Sequence, residues 1–157
     1  MDMKPAGPAA IDRETRRTVM VSSMASDSHT WNLIYLQLLL EEMGHRVVNL
    51  GACVPDEVII EQCASYRPDV VVLSSVNGHG YQDGLRLVRR LRADPTFASI
   101  YVVIGGKLGI GGADPQRAPV LLAAGFDAVF EDDRKAAALL REFIDSLPAT
   151  EVELVMS

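Results

Sequence analysis

The chain has 157 residues, a formal net charge of −6 and 48% hydrophobic residues. These values are typical of one soluble globular domain, and they exclude the basic surface that nonspecific nucleic-acid binding needs. No apolar stretch reaches the roughly 18 residues of a membrane span, so we expect neither a nucleic acid nor a membrane as partner. Cys53 and Cys63 form no CxxC pair, and we interpret them as partly buried, reduced thiols of a cytoplasmic protein.

The two ends of the chain differ in composition from its middle. Residues 1–15 contain acidic residues and two prolines but no apolar signal-peptide segment, so we expect a flexible N-terminal leader. Residues 16–148 are predicted to form one domain, and residues 149–157 a C-terminal tail.

Short apolar runs alternate with helical patterns along the first half of the chain. The run TVMVSS predicts a strand, and the following NLIYLQLLLEEMG predicts a helix that ends at a glycine. Proline and acidic residues then open a second helix, as the helix dipole favours. The predicted elements are a strand at 18–23, a helix at 32–44, a strand at 46–51 and a helix at 55–66.

The second half continues the same alternation. The unbroken Val/Leu run in PDVVVLSS predicts a central strand that is covered on both faces. Arginines opposite an apolar stripe predict the amphipathic helix that follows, and Pro119 interrupts a weaker helix further on. The predicted elements are strands at 68–75, 99–106 and 127–132, and helices at 81–94, 115–125 and 134–147.

Five strands that alternate with helices predict an α/β fold with a parallel sheet and helices on both faces. We expect a single flavodoxin-like (Rossmann-like) doubly wound sheet with the strand order 2-1-3-4-5. Ligands of such sheets bind at the carboxyl ends of the strands, near the switch point between the first and third strands.

Polar and small residues stand at the carboxyl ends of three neighbouring strands. They are Asp27 and His29 after the first strand, Ser74 and Ser75 at the end of the third, and Gly105 and Gly106 at the end of the fourth. Taken singly, each has a structural explanation: a helix cap, a surface imidazole, hydroxyls that satisfy strand-end backbone groups, and a turn. Their convergence on one edge of the sheet predicts a ligand site. A carboxylate beside an imidazole suits a metal ligand whose second ring nitrogen is held by an acceptor.

Other uses of this fold lack their motifs. A phospho-receiver domain needs an acidic residue where Ser74 and Ser75 stand, and GxxxxGK[ST] does not occur. The loop after the first strand has no glycines, and GGKLGIGG lacks the GxGxxG order of a dinucleotide site. The hydroxyl-rich SSMASDSHT keeps a flavin-phosphate loop open as an alternative. His45 precedes a strand, and we expect it in an exposed turn.

These residues resemble the cobalamin-binding domain family with the DxHxxG…SxL…GG pattern, over about residues 16–147. Asp27 and His29 match DxH, Ser74 with Val76 matches SxL, and the glycine pair matches GG. Within this family the chain is most similar to the small cobalamin-binding subunits of glutamate mutase (methylaspartate mutase). It differs at Asn32, where the first motif has a glycine that lets the loop pass close to the corrin or adopt positive φ, and at Val76, where the second has leucine.

The resemblance implies a base-off, His-on cofactor with its dimethylbenzimidazole tail in a pocket between the first and third strands. His29 would be the lower axial cobalt ligand, Asp27 would accept its other imidazole N–H, and Ser74 would hydrogen-bond the tail base. Gly105 and Gly106 would leave room for the tail. The remaining implied cofactor-binding residues are Ser28, Thr30, Asn32, Ser75, Val76 and Gly78.

The resemblance also implies a function. Adenosylcobalamin would serve a radical rearrangement of glutamate to 3-methylaspartate, with the substrate held by a larger barrel subunit that His79 and Lys107 could contact. A homodimer within a hetero-oligomer is a further expectation. Three alternatives stay open: a corrinoid methyl carrier, although its usual preceding helical domain has no room in 15 residues; a non-catalytic partner-binding module, which Asn32 favours; and a flavin-binding electron carrier.

Overall fold

This computed structural model describes residues 16–131 and 134–148, so the predicted leader and tail lie outside the described residues. Five strands form one parallel sheet in the order β2-β1-β3-β4-β5, as predicted. The strands are β1 (Thr18–Ser23), β2 (Arg46–Asn49), β3 (Val70–Ser75), β4 (Tyr101–Gly106) and β5 (Ala128–Glu131). The helices are α1 (Trp31–Glu42), α2 (Asp56–Tyr66), α3 (Gly80–Ala93), α4 (Arg117–Ala124) and α5 (Ala136–Asp145), with a short 3₁₀ helix at Pro95–Phe97. Each boundary lies within two residues of its prediction among the described residues.

Alternate side chains of each strand enter two separate cores, because successive strand residues point to opposite faces of a sheet. On β3, Val70 and Val72 pack with α1 and α5, whereas Val71 and Leu73 pack with α2, α3 and α4. All six residues of β3 are buried, which makes it the centre of the fold. The sheet is therefore covered on both faces, as its uninterrupted apolar run predicted.

The weakest predicted helix is regular from Arg117 to Ala124. Pro119 is its third residue and does not interrupt it, which corrects the sequence prediction. The physical reason is that the N–H groups of the first helical turn have no intrahelical partner, so a proline costs little there.

Two further predictions about single side chains were wrong. Cys53 is exposed, although Cys63 is buried as expected. His45 is buried, not exposed, and its Nδ1 accepts a hydrogen bond of 3.0 Å from the backbone N–H of Arg17. The Arg17 guanidinium in turn donates to the carbonyl oxygens of Leu147 and Pro148. This cluster joins the start of β1 to the chain that follows α5.

None of the helices in residues 16–131 and 134–148 has the length and apolar character needed to cross a membrane.

We predict that His45 makes stability fall in mild acid. Burial, followed by the nearby positive charge of Arg17, lowers the pKa of His45 from its ordinary value of 6.5, and Asp145 and Asp69 oppose this only in part. The unfolded chain therefore binds the proton more readily, so this stability is complete above pH 6.5 and is lost as the pH falls through the folded-state value. The free energy of unfolding in urea should fall less between pH 8 and pH 5.5 for His45→Asn than for the wild type. Asparagine keeps a hydrogen-bond acceptor but does not titrate. Equal losses in the two proteins would contradict this role.

Candidate functional site

The carboxylate of Asp27 joins the loops that follow β1 and β3. Its Oδ1 accepts from the backbone N–H of His29 at 3.1 Å and lies 2.8 Å from Nδ1 of the same residue. Its Oδ2 accepts from the backbone N–H groups of Val76 at 2.7 Å and Asn77 at 3.2 Å. Asp27 does not cap α1, because the N-cap residue is Thr30, which has no side-chain cap bond. Of the two interpretations from sequence, the structure supports the one in which Asp27 orients His29.

The environment of Asp27 keeps it ionised. Burial alone raises the pKa of Asp27, but the hydrogen bonds from the backbone of Val76 and from the backbone and side chain of His29 together lower it below its ordinary value. An ionised carboxylate can only accept, so Nδ1 of His29 carries the imidazole proton. The Nε2 lone pair is then available as a ligand.

The imidazole of His29 is accessible from outside the protein. Its side chain is 53% exposed, and Nε2 has no hydrogen-bond partner within residues 16–131 and 134–148. Over the same residues, no group of three or more His, Cys, Asp or Glu side chains is placed to hold a metal ion. His29 is thus an oriented single nitrogen donor at the edge of the sheet.

Hydrogen bonds to neighbouring loops hold the Asp27 backbone in place. The Ser23 hydroxyl donates to the carbonyl oxygen of Asp27 at 3.0 Å, and the N–H of Cys53 donates to the same oxygen at 2.8 Å. On the other side, the Ser26 hydroxyl donates to Asp83 at 2.5 Å and Asn77 donates to the Ser26 carbonyl at 2.9 Å. These hydrogen bonds therefore fix the backbone of the loop that carries His29.

The two serines at the end of β3 have different surroundings. Ser74 follows the alternation of Val70 and Val72 and points to the face that α1 and α5 cover. Ser75 points to the opposite face, where its hydroxyl donates to the Lys107 carbonyl at 2.6 Å. Only Ser74 lines the cleft described next, and Ser75 holds the loop after β4.

A mostly apolar cleft of about 190 Å³ opens on the α1 and α5 face. Its lining residues come from β3, β4, β5, α1 and α5 and include Asn32, Ser74, Gly105, Gly106 and Phe130. It lies over the β3–β4 pair and has no lining residue from β1, whereas the resemblance implied a pocket between the first and third strands. Small side chains at Gly105, Ala136 and Ala137 leave this space between the sheet and α5.

Both glycines of the pair lie at close approaches of the backbone, and the approach at Gly106 leaves no room for a Cβ. Gly106 has a φ of +93°, and a Cβ there would lie 2.1 Å from the carbonyl oxygen of Ser75. A Cβ at Gly105 would lie 3.2 Å from the carbonyl oxygen of Phe130. Gly106 thus lets β4 pair closely with β3 at its last residue, and Gly105 keeps the cleft open.

Asn32 lies in the first turn of α1 and not in a loop, so the expected need for positive φ at this position does not arise. Its side-chain amide donates to the Ser74 hydroxyl. What a glycine would change here is the space in front of Ser74, not the path of the backbone.

The other predicted residues take supporting or peripheral positions. Val76 contributes its backbone N–H, which donates to Asp27, and Gly78 in the same loop has a φ of +86°. Four predicted residues are exposed at the carboxyl edge and do not line the cleft: Ser28, Thr30, His79 and Lys107.

Sequence reasoning missed the part of the cleft that α1 and α5 provide. From these helices the missed lining residues are Tyr35, Leu36, Ala136, Ala137 and Leu140, and from the strands they are Val72, Leu73, Val103, Ile104 and Phe130. The alanine run at the start of α5 was the available signal, because small residues on a buried helix face leave room over a sheet.

The model of the B12 binding domain family matches residues 17–141. The chain belongs to this family. Its fold, with a strand-end DxH loop and a glycine pair beside a cleft, agrees with that membership.

Several curated relatives share most of their length with this chain. The glutamate mutase sigma subunit 1 of Haloarcula marismortui is 30% identical over 143 residues, which are 88% of this chain and 93% of the relative. The glutamate mutase sigma subunit of Halobacterium salinarum is 33% identical over 117 residues, 74% of this chain and 77% of the relative. The corresponding subunit of Clostridium cochlearium is 27% identical over 61% of this chain and 69% of the relative.

Solved structures support the fold. A cobalamin-binding protein from Desulfitobacterium hafniense superimposes with a TM-score of 0.65 at 22% identity, covering 82% of this chain and 58% of that one. The monomethylamine corrinoid protein of Methanosarcina barkeri gives 0.65 at 20% identity, covering 80% and 57%. The chemotaxis protein CheY4 of Vibrio cholerae gives 0.63 at 13% identity, covering 84% and 99%. At these identities the likeness is one of fold, and this chain spans less than two thirds of the first two structures.

The residues present fit a corrinoid cofactor. His29 offers one oriented nitrogen, and the cleft that Asn32, three residues further along, helps to line is mostly apolar, which suits a flat aromatic tail base. The fit rests on this donor set and on the room that the two glycines leave.

We predict that Gly106→Ala is markedly more destabilising than Gly51→Ala. Both glycines have a φ near +90°, but a Cβ at Gly51 would meet nothing within 4 Å. Gly51→Ala therefore measures the backbone strain alone, and Gly106→Ala adds the clash with the Ser75 carbonyl oxygen, about 1–3 kcal/mol more. Urea unfolding of both variants measures the difference. Equal destabilisation would mean that the backbone there moves away without cost.

Proposed function

We propose that this protein is the cobalamin-binding subunit of an adenosylcobalamin-dependent carbon-skeleton mutase of the glutamate mutase type. The observation that carries the proposal is the Asp27–His29 pair, an imidazole oriented by a buried carboxylate at 2.8 Å. The names of the curated relatives support the reaction type, and the two free cysteines support a cytoplasmic location.

In this proposal Nε2 of His29 would coordinate the cobalt of the bound cofactor. Asp27 fixes the ring by accepting the Nδ1 proton and makes the imidazole a stronger donor. The four hydrogen bonds on Asp27 keep it ionised and in place, so the ligand is aligned before the cofactor arrives. The protein's task is to hold this one nitrogen at a fixed position at the sheet edge.

The cleft receives the nucleotide tail in the same proposal. Ser74 offers a hydroxyl at the mouth, and Gly105 with the alanines of α5 provides room for a flat base against the sheet. Apolar walls favour the burial of an aromatic ring, which is worth about 25 cal/mol per Å² of apolar surface removed from water. Ser28, Thr30, Ser75, Val76 and Gly78 support the loops around this site.

When bound, adenosylcobalamin would supply the radical chemistry for the rearrangement of glutamate to 3-methylaspartate. The chain contributes the alignment of the cofactor and its separation from water on the sheet side.

A separate, larger subunit holds the substrate in this proposal. Two large apolar side chains are exposed on the carboxyl edge around His29, Trp31 at 83% and Ile110 at 74%. Exposed apolar residues around a site favour contact with another molecule. Together with His79 and Lys107 they form the edge that such a subunit would cover. A homodimer within that assembly is part of the proposal.

The test is a visible-absorbance titration of the purified protein with hydroxocobalamin and with adenosylcobalamin. We expect a saturable spectral change for the wild type that His29→Ala abolishes while the far-ultraviolet circular dichroism is retained. Asp27→Asn should weaken binding about 10–100-fold, since it removes the partner that orients the ligand. His79→Ala, a histidine on the same edge that makes no contact with Asp27, is the matched control and should bind like the wild type.

Each other outcome has a definite meaning. A spectral change that survives His29→Ala would overturn the ligand assignment. Absence of binding in the wild type, or uptake of flavin instead, would favour the partner module or the electron carrier.

The mutase reaction provides a second test. Labelled glutamate should be converted to 3-methylaspartate only when this chain, its cognate larger subunit and adenosylcobalamin are all present. The His29→Ala chain in the same mixture should lose nearly all activity. Conversion by this chain without a second subunit would contradict the division of roles proposed here.

A further inference from the structure

The carboxamide of Asn32 is only half satisfied. Its Nδ2 donates to the Ser74 hydroxyl, whereas its Oδ1 is shielded from solvent and has no hydrogen-bond partner among the described residues. Buried polar atoms without partners are rare in native proteins, and each requires a physical explanation. This one lies on a residue that lines the cleft.

The side chains of Ser74 and Asn32 together present one unused hydrogen-bond donor and one unused acceptor. Because the Ser74 oxygen accepts from Asn32, its hydroxyl hydrogen remains to be donated, and within residues 16–131 and 134–148 it has no acceptor. The Asn32 Oδ1 is an acceptor with no donor. A ligand that carries an acceptor nitrogen next to an N–H group would satisfy both, once the carboxamide turns its shielded Oδ1 toward the cleft.

The unpartnered oxygen has already lost its water. A hydrogen bond normally contributes little net free energy, because each partner first gives up a bond to solvent. That loss has already occurred at Oδ1. A hydrogen bond from a ligand N–H to this oxygen therefore carries no further desolvation cost on the protein side. A ligand without a donor leaves Oδ1 as it is and gains nothing there.

We propose that Asn32, in the place of the motif glycine, makes the cleft selective for corrinoids whose tail base carries an exocyclic N–H donor beside a ring-nitrogen acceptor. This inference rests on the proposed function, because it concerns the tail of the same cofactor. A 6-aminopurine base has this pattern, whereas dimethylbenzimidazole has a ring nitrogen but no N–H group beside it. Asn32 is thus a specificity-determining residue for the lower base.

The experiment compares three corrinoids by visible-absorbance titration: cobalamin, its analogue with a 6-aminopurine tail, and cobinamide, which has no nucleotide tail. The proteins are the wild type, Asn32→Gly, which restores the motif residue, and Asn32→Ala, which removes the carboxamide but keeps a good helix former. Leu38→Ala, on the same helix outside the cleft, is the matched control. The readout is the ratio of the dissociation constants for the two tailed corrinoids, in which any change common to both cancels.

The ratio of dissociation constants, cobalamin over the aminopurine form, should be about tenfold larger for the wild type than for either Asn32 variant. A factor of ten corresponds to one well-made hydrogen bond. Cobinamide should bind the wild type, both variants and the control with equal affinity, because it does not enter the cleft. Leu38→Ala should keep the wild-type ratio. Agreement of the two Asn32 variants would exclude a folding effect of glycine.

The failures are distinguishable. An unchanged ratio in both variants, with binding still dependent on His29, would overturn the role of Asn32 and leave the cobalamin site intact. Absence of His29-dependent binding of all three corrinoids would overturn the proposed function and this inference with it.

Discussion

Four hydrogen bonds converge on the carboxylate of Asp27, two from His29 and two from the backbone of Val76 and Asn77. Burying an ionised carboxylate costs several kcal/mol unless donors replace its water, and here three of the four donors are backbone N–H groups that cost no side-chain ordering. The same bonds tie the loop after β1 to the loop after β3. The position of His29 therefore depends on the pairing of β1 with β3.

The boundaries of the elements could be predicted from sequence because their causes are local, and the strand order followed from the topology rules of doubly wound sheets. Apolar runs, helix-ending glycines and prolines at helix starts all act within a few residues. Convergence of Asp27, His29, Ser74 and the glycine pair followed from topology alone, since parallel strands bring their carboxyl ends to one edge. The division between Ser74 and Ser75 could not be predicted. All six residues of β3 are buried, so no alternation of polar and apolar residues marks its two faces.

Other features depend on contacts that are distant along the chain. The buried His45 accepts from the backbone of Arg17, 28 residues earlier, and Arg17 itself reaches carbonyl groups about 130 residues later. The cleft depends on how closely α5 packs over β4, which the small side chains of two different elements decide jointly. Sequence patterns predict the face that a helix buries but not the gap that remains between two buried faces.

The departure from the family motif at Asn32 concerns chemistry more than backbone. Because the residue is helical with negative φ, the chain path needs no glycine here, and α1 keeps its place over the sheet. What the asparagine adds is a carboxamide against Ser74, with one bond made and one atom left without a partner. Leaving a buried acceptor unpaired costs about 1–3 kcal/mol, a large fraction of the stability of a small domain. A cost of that size is easiest to understand if the oxygen is satisfied in the loaded protein. Under this proposal the same fold, with the same His29, would accept a different lower base through one substitution in the first turn of α1.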